Sequence, residues 1–169
     1  MRIWLLAVVL AAGALGTSPA EVGFAQTDPG SCRVPAFAYK HGTVTFTEHG
    51  TAAEVRVELA DTPGSAEVGL MCRTTMEPDA GMLFVFADDT RTPFWMKNTL
   101  IPLSIAFIDA TWHIVGLIDM PVERDPSNPL PANLYAPLKP YRYALEVNQG
   151  FFARHGIDTK AEVRFAPSR

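Results

Sequence analysis

Six residues carry charged, amide, hydroxyl or indole groups that could together bind a small molecule or a peptide: Arg73, Trp95, Lys97, Asn98, Thr99 and Glu146. Glu146 stands in an otherwise apolar stretch, and a carboxylate among inward-facing neighbours needs a partner. Arg73, at the end of a predicted helix, is the partner that we expect. The pair could belong to a ligand pocket or form a structural ion pair at the rim of the fold, and the sequence leaves both interpretations open.

Sulfur-containing side chains are a second candidate for chemistry, because soft ligands select Cu(I). With Trp95 nearby, the candidate ligands are Met71, Cys72, Met76, Met82, Met96 and Met120. Methionine also fills irregular gaps in protein cores, and the spacing contains no Met-x-Met repeat. We therefore expect core packing and no cofactor, and keep a soft-metal (copper) site as the third functional hypothesis.

The two cysteines, Cys32 and Cys72, form an even count that predicts one disulfide if the chain is exported to an oxidising compartment. Closing a loop of 40 residues would stabilise the fold by about 4 kcal/mol in the chain-entropy model. The alternative is a reactive thiol at Cys72, whose thiolate would be favoured by the adjacent cation of Arg73.

Short motifs of the common enzyme classes are absent from the sequence. It has no Gly-x-Ser-x-Gly turn, no Gly-x-x-x-x-Gly-Lys loop, no His-Glu-x-x-His motif and no Gly-x-Gly-x-x-Gly fingerprint. The histidines are far apart in the chain: His41, His49, His113 and His155. Because no nucleophile and base can be named, we favour binding over catalysis. An enzyme of unknown reaction that uses Arg73, Asn98 and Glu146 is the alternative.

Composition and charge restrict the class of partner. The chain has 169 residues, of which 48% are hydrophobic and 19% charged, enough apolar material for the core of a single domain. Its formal net charge is −4 and no cluster of basic residues occurs, which argues against nucleic-acid binding. We expect a monomer with an acidic surface.

Residues 1–25 have the pattern of a cleavable signal peptide. Arg2 precedes an apolar run over residues 3–15, and small residues then allow cleavage after Ala20 or Ala25. The run is shorter than the about 20 residues that span a bilayer, so an uncleaved anchor is the less favoured alternative. We predict a periplasmic or secreted protein without stable membrane insertion, with an N-terminal arm over 26–42 and one β-rich domain over 43–169.

Alternation of apolar and polar residues predicts the elements that must position these groups. The predicted strands cover 43–47, 55–59, 82–86, 94–96, 103–108, 112–120, 141–147 and 162–166, and the predicted helices cover 64–73 and 148–155. Short connections favour antiparallel neighbours, because parallel strands need crossovers of about a dozen residues or more. The prediction is a mainly β (α+β) fold, a compact antiparallel barrel or sandwich of seven or eight short strands with two short helices.

Three details of this prediction bear on the site. Thr62 can cap the first helix, with Pro63 at its first position. In a strand over 94–96, Trp95 and Lys97 would lie on one face, and Phe94, Met96 and Asn98 on the other. The residues of the two faces could not line one pocket without a bulge. Residues 121–140 contain six of the fourteen prolines and predict either a functional flap or a surface excursion.

Four segments together resemble the domain-of-unknown-function 192 family: Gly69-Leu70-Met71-x-Arg73, Gly81–Phe86, Phe94–Leu103, and Leu145-Glu146-Val147 with Gly150. The resemblance covers roughly residues 55–163. It implies a compact, mainly β fold, often on exported proteins, and it implies no activity. The chain departs from the family pattern at Ser104 and at Lys160-Ala161, where relatives often carry acidic residues, and Cys72 occupies a position that is commonly not cysteine.

Our functional prediction is an exported binding or accessory module that holds a small molecule or peptide near Arg73, Asn98 and Glu146.

Overall fold

The computed structural model describes residues 32–128, 130 and 132–168. The predicted signal peptide and its cleavage sites lie outside the described residues. From Cys32 onward the chain forms one compact unit. Its strands and helices follow in this order: β1 (Lys40–Glu48), β2 (Thr51–Ala60), α1 (Pro63–Val68), β3 (Ala80–Thr90), β4 (Leu103–Ile108), β5 (Ile114–Met120), β6 (Tyr141–Asn148), α2 (Phe151–Arg154) and β7 (Glu162–Pro167).

The seven strands form one mixed sheet in the order β5-β4-β6-β3-β2-β1-β7. A mainly β fold with seven strands and two short helices is therefore confirmed. The sheet is not closed between its outer strands β5 and β7 in the described part of the chain, so it does not show the barrel that we predicted. The expectation of antiparallel neighbours throughout was wrong for β2 and β3, which are parallel. Residues 61–79 form the crossover between them and are long enough to contain α1.

Apolar residues cover both faces of the sheet and produce two cores. Leu83 and Leu145 belong to the first core, on the face covered by α2, and Met82 and Ala144 belong to the second, on the face covered by α1. Successive residues of a strand point to opposite faces, so a central strand that serves both cores is buried along its whole length and is mainly apolar. All six residues of β4 are buried for this reason.

Helix α1 begins where the sequence predicted and ends earlier. The Thr62 hydroxyl accepts a hydrogen bond from the Ser65 backbone amide while the Ser65 hydroxyl accepts one from Thr62, and Pro63 is the first helical residue. Gly69 has a φ of 49° and ends the helix after Val68, although the prediction extended it to residue 73. The irregular segment that follows Gly69 leads the chain back to the sheet at β3.

Two strand predictions need correction. Residues 94–96 are not a strand, since Phe94 makes only an isolated bridge to Tyr135. Apolar residues on both faces of the strand predicted over 112–120 favour a central position, but the strand is β5 at the edge of the sheet. Its apolar outer side is explained by the proline-rich segment, whose Pro137 approaches Gly116 so closely that a Cβ there would lie 3.1 Å from the proline ring.

Candidate functional site

A pocket of about 570 Å³ opens on the second-core face, between α1, β3, β6 and the segment that follows β3. This volume is within the range of about 300–1,000 Å³ that is typical of small-molecule sites. Its walls are mainly apolar: Leu70, Met71, Phe84, Phe86, Phe94 and Trp95. The polar side chains on its lining are few: Glu67, Thr92, Lys97, Thr99 and Glu146.

Glu146 is the buried charged group of this pocket. The side chain is only 5% exposed and lies on β6 between Met82 of β3 and Ile105 of β4, both fully buried. No hydrogen bond or ion pair joins its carboxyl group to another described residue. Its oxygens reach the surface of the pocket, since no fully buried side-chain oxygen in the described part of the chain lacks a partner. Loss of hydration is the cause that raises the pKa of Glu146 to about 8.

Strand alternation explains the position of Glu146. Leu145 and Val147 point to the first core, so Glu146 and Ala144 must point to the second. Simple alternation would place Tyr141 on the face of Leu145. Tyr141 lies instead in the second core, next to an irregularity in the pairing of β3 with β6. Its hydroxyl donates to the backbone oxygen of Thr92, and burial raises the pKa of Tyr141 well above its usual range.

Trp95, Lys97 and Thr99 form the rim of the pocket. The Lys97 ammonium lies 5.2 Å from the centroid of the Trp95 ring, a cation–π distance. The hydroxyl of Thr99, which is nearly buried, donates to the Lys97 backbone oxygen. Phe94 lines the same pocket as Trp95 and Lys97, so our prediction that strand parity would separate them was wrong. The segment is irregular, and the alternation of a strand does not apply to it.

Arg73 does not pair with Glu146, contrary to our prediction. Its guanidinium forms a two-contact ion pair with Glu58 of β2 and does not line the pocket. Glu58 is opposite Met82, and Met82 is opposite Glu146, so the backbones of the two glutamates are two strand spacings apart, about 10 Å. The early end of α1 places Arg73 over β2 rather than over β6.

Asn98 connects three segments instead of lining the pocket. Its backbone oxygen accepts a hydrogen bond from the Cys72 amide (2.8 Å), and its own amide donates to the Pro126 oxygen (2.6 Å). Its side-chain amide lies 4.0 Å from the Met71 sulfur. The left-handed φ of 54° at Asn98 directs both backbone groups towards these partners. Asn98 therefore fixes the rim to the turn that follows α1.

The predicted disulfide is present between Cys32 and Cys72, so neither cysteine is a free thiol. Cys72 also has a left-handed backbone, with a φ of 64°. The bond joins the N-terminal arm to the turn after α1, where the Cys72 amide donates a hydrogen bond to the Asn98 oxygen. The arm and the rim of the pocket are thus fixed at the same turn.

Most of the sulfur-containing side chains have structural roles in the fold. Met82, Met96 and Met120 are fully buried in the second core, and Cys72 is bonded to Cys32. Among the residues that the structure describes, no group of three or more His, Cys, Asp or Glu side chains converges. No helix in the same part of the chain is long and apolar enough to cross a membrane.

One wall residue, Leu134, had no signal in the sequence that pointed to the pocket. Leu134, 61% exposed in the proline-rich segment, lines the pocket, and the next residue, Tyr135, exchanges two backbone hydrogen bonds with Phe94. The Glu123 carboxylate accepts hydrogen bonds from the amides of Ala132 and Asn133 and so shapes this segment. Residues 121–140 therefore contribute one edge of the pocket.

Comparison with known proteins identifies the family. The family model DUF192, described as "Uncharacterized ACR", matches residues 44–165. The chain belongs to the DUF192 family. Its resemblance to that family, predicted from four sequence segments, is therefore confirmed.

Two crystal structures resemble this DUF192 chain. One, from Sinorhizobium meliloti 1021, is named a "putative transcription regulator"; it is 31% identical, with a TM-score of 0.69, and the match covers 78% of this chain and 98% of that one. The other is a protein of unknown function from Novosphingobium aromaticivorans DSM 12444. It is 32% identical, with a TM-score of 0.65, and the match covers 80% of this chain and 94% of that one. No curated protein matches the chain.

The four segments that carry the DUF192 resemblance meet at the pocket. The first contributes Leu70 and Met71, the second Phe84, the third Trp95, and the fourth Glu146. These segments are up to about 75 residues apart in the chain and reach one cavity only through the strand order of the sheet.

Proposed function

We propose that this DUF192 chain is an exported binding module that holds a small, mainly apolar molecule in the pocket beneath Trp95. The observation that carries the proposal is Glu146, a buried carboxyl group without a protein partner at an apolar-walled cavity. Buried polar groups in stable proteins are almost always hydrogen-bonded. A ligand that supplies the missing partner would explain why an unpaired acid stands between Met82 and Ile105.

The proposed site differs from the sequence-based one in its members. Trp95, Lys97, Thr99 and Glu146 remain as candidate ligand contacts, with the aromatic wall of Phe84 added. Arg73 and Asn98 become residues that hold the surrounding turns. A small molecule fits the cavity better than a peptide, because the volume is that of a single compact ligand.

Export is part of the proposal because two observations support it. Residues 1–25 have the composition of a signal peptide, and a disulfide is typical of oxidising compartments. Nucleic-acid regulation, suggested by the name of the Sinorhizobium protein, is not proposed here, because the net charge is −4 and no basic cluster occurs.

Catalysis is the second candidate and depends on Glu146 alone. A carboxyl group that keeps its proton near neutral pH can act as a general acid when a substrate lies beside it. The cluster of Arg73, Asn98 and Glu146 that we first considered is not assembled, so it no longer supports this hypothesis. Binding is preferred because it requires only the cavity and its unpaired acid.

Two measurements test the proposed function. Native mass spectrometry of protein purified from the periplasm should detect a non-covalent small molecule that is lost on denaturation. After unfolding and refolding, the emptied protein should bind the neutral fluorescent probe N-phenyl-1-naphthylamine and show a change in tryptophan fluorescence.

A pair of matched variants locates the binding. Ala66 of α1 lines the pocket, so Ala66→Phe should fill it and weaken probe binding at least about tenfold. Ala52 is exposed on β2 away from the pocket, and Ala52→Phe should bind as the wild type does. Equal binding by both variants, or an absence of any ligand and of probe binding, would refute the proposed function.

A further inference from the structure

The charges on the pocket lining are unbalanced. Two carboxylates, Glu67 and Glu146, are opposed by one ammonium, Lys97, which leaves a formal excess of one negative charge when all three are ionised. Glu67 is exposed to solvent, which screens its charge, and the Lys97 ammonium lies over the Trp95 ring. The carboxylate without a compensating charge is therefore the one that forms when Glu146 loses its proton, and this residue is only 5% exposed.

The chemistry of the missing partner follows from this environment. A neutral hydroxyl would give the carboxylate one hydrogen bond but would leave its charge unpaired. An anion would be repelled by the acid and would have only the half-exposed Lys97 as a partner. An ammonium group would supply both a charge and N–H donors, and such charge-assisted hydrogen bonds are about twice as strong as neutral ones.

The apolar and aromatic residues of the pocket determine which body the ammonium group should carry. Phe94 packs edge-to-face against Phe84, with ring centroids 4.9 Å apart, and Phe94 also contacts Phe86 at 6.5 Å. These rings offer apolar surface and the electron-rich faces that favour a nearby cation. Leu70 and Met71 complete an apolar wall that a hydrocarbon body would cover.

We propose that the pocket selects an organic ammonium, a molecule with an apolar aliphatic or aromatic body whose cationic nitrogen binds the Glu146 carboxylate. This inference rests on the proposed function, because it names the class of ligand for the same cavity. Within it, Glu146 determines charge selectivity and the aromatic wall determines the preference for an apolar body. The Lys97 ammonium stays over the Trp95 ring.

The test uses three probes of equal shape and different charge: 4-phenylbutylammonium, 4-phenylbutanol and 4-phenylbutyrate. Their dissociation constants are measured by calorimetry on refolded, ligand-free protein at about pH 9, where Glu146 is ionised because its pKa is about 8. In the wild type, the ammonium should bind at least about tenfold more tightly than the alcohol, and the carboxylate should bind most weakly. In Glu146→Gln, which keeps the shape and removes the charge, the ammonium should lose this advantage while the alcohol binds within about twofold of the wild type.

Glu54→Gln is the matched control, since it removes a carboxylate that is exposed on β2 and does not line the pocket. It should change the affinity for the ammonium by less than about threefold, because exposed charges are screened. Circular dichroism and a melting curve check that each variant folds. If Glu146→Gln does not fold, the order of the three probes on the wild-type protein still decides the question.

Three results would overturn the inference. Equal binding of alcohol and ammonium would show that charge plays no part, and tightest binding of 4-phenylbutyrate would assign the site to anions held by Lys97. Failure of all three probes would also refute it. If N-phenyl-1-naphthylamine still binds in any of these cases, the proposed function stands and only the ligand class is wrong; if it does not bind either, both fail.

Discussion

Replacing Glu146 with glutamine should change how the stability of the protein depends on pH. The folded protein keeps this carboxyl group in a poorly hydrated site between Met82 and Ile105, which raises its pKa from 4.5 to about 8. Between these two pH values the folded state holds a proton that the unfolded chain releases. The contribution of Glu146 to stability is thus complete below about pH 4.5, is lost as the pH rises towards 8, and stays lost above it.

The size of the effect follows from the two pKa values. Each pH unit between 4.5 and about 8 changes the free energy of unfolding by about 1.4 kcal/mol, so the full change is about 5 kcal/mol. This is an upper limit, because water in the pocket can hydrate the carboxylate. Glutamine has the same shape and no charge. We therefore expect Glu146→Gln to match the wild type in acid and to exceed it by several kcal/mol in mild alkali.

The assay is urea denaturation of ligand-free protein, with the disulfide intact, at intervals from about pH 4.5 to about pH 9. The quantity of interest is the difference in unfolding free energy between Glu146→Gln and the wild type at each pH, since other titrating groups cancel in it. Glu54, which is exposed on β2, gives the control: Glu54→Gln should follow the wild-type profile.

A difference that stays constant over this range would refute the reasoning, because the carboxyl group would then titrate alike in the folded and unfolded chains. A difference of the opposite sign, with the glutamine variant losing stability as the pH rises, would mean that Glu146 is ionised and well paired in the folded state. Either result would also remove the main support for the pocket as a ligand site.

Three further predictions concern the framework around the pocket, and each is measured by chemical denaturation. Replacing Cys32 and Cys72 with serine should lower the free energy of unfolding by about 4 kcal/mol, since the bond closes a loop with a sequence separation of 40; a loss below about 1 kcal/mol would contradict this. Gly81→Ala should cost about 1–3 kcal/mol, because a Cβ would lie 2.4 Å from a backbone oxygen of β6, and a neutral effect would show that the strands separate easily. Arg73→Ala, which breaks the pair with Glu58, should cost about 1 kcal/mol and leave binding of N-phenyl-1-naphthylamine unchanged, whereas weaker binding would return Arg73 to the site.

Local patterns in the sequence predicted the elements of the fold because local physics determines them. The cap formed by Thr62 and Pro63 was foreseeable, since a side-chain oxygen and a fixed φ act within one turn of the helix. Strand β4 was predicted with its observed limits, 103–108, because a continuous apolar run is bounded by Pro102 and Asp109. The order of the strands depends on contacts between distant segments, and no local pattern encodes those.

The site could be predicted only in part, because some of its residues stand out locally and others are brought together only by the fold. Glu146 was recognisable because one charge in an apolar strand is unusual. Its partner was misassigned because the choice between Glu146 and Glu58 depends on where α1 ends, and Gly69 ends it one turn early. The exposed Leu134 could not be identified as part of the pocket, because only its three-dimensional position beside Phe94 gives it that role.

The place of β7 in the sheet has a consequence for the order in which the protein folds. β1 lies between β2 and β7, and its Gly42 is opposite Pro167, so the first strand is fully paired only when the last one has arrived. Folding dominated by contacts so distant in sequence is slow, on the scale of about milliseconds to seconds. Until then, β1 presents an unpaired edge and the apolar side chains of Val44 and Phe46 to its surroundings. For the exported protein proposed above, this delay keeps the chain unfolded for longer before translocation and makes an incomplete chain prone to aggregation.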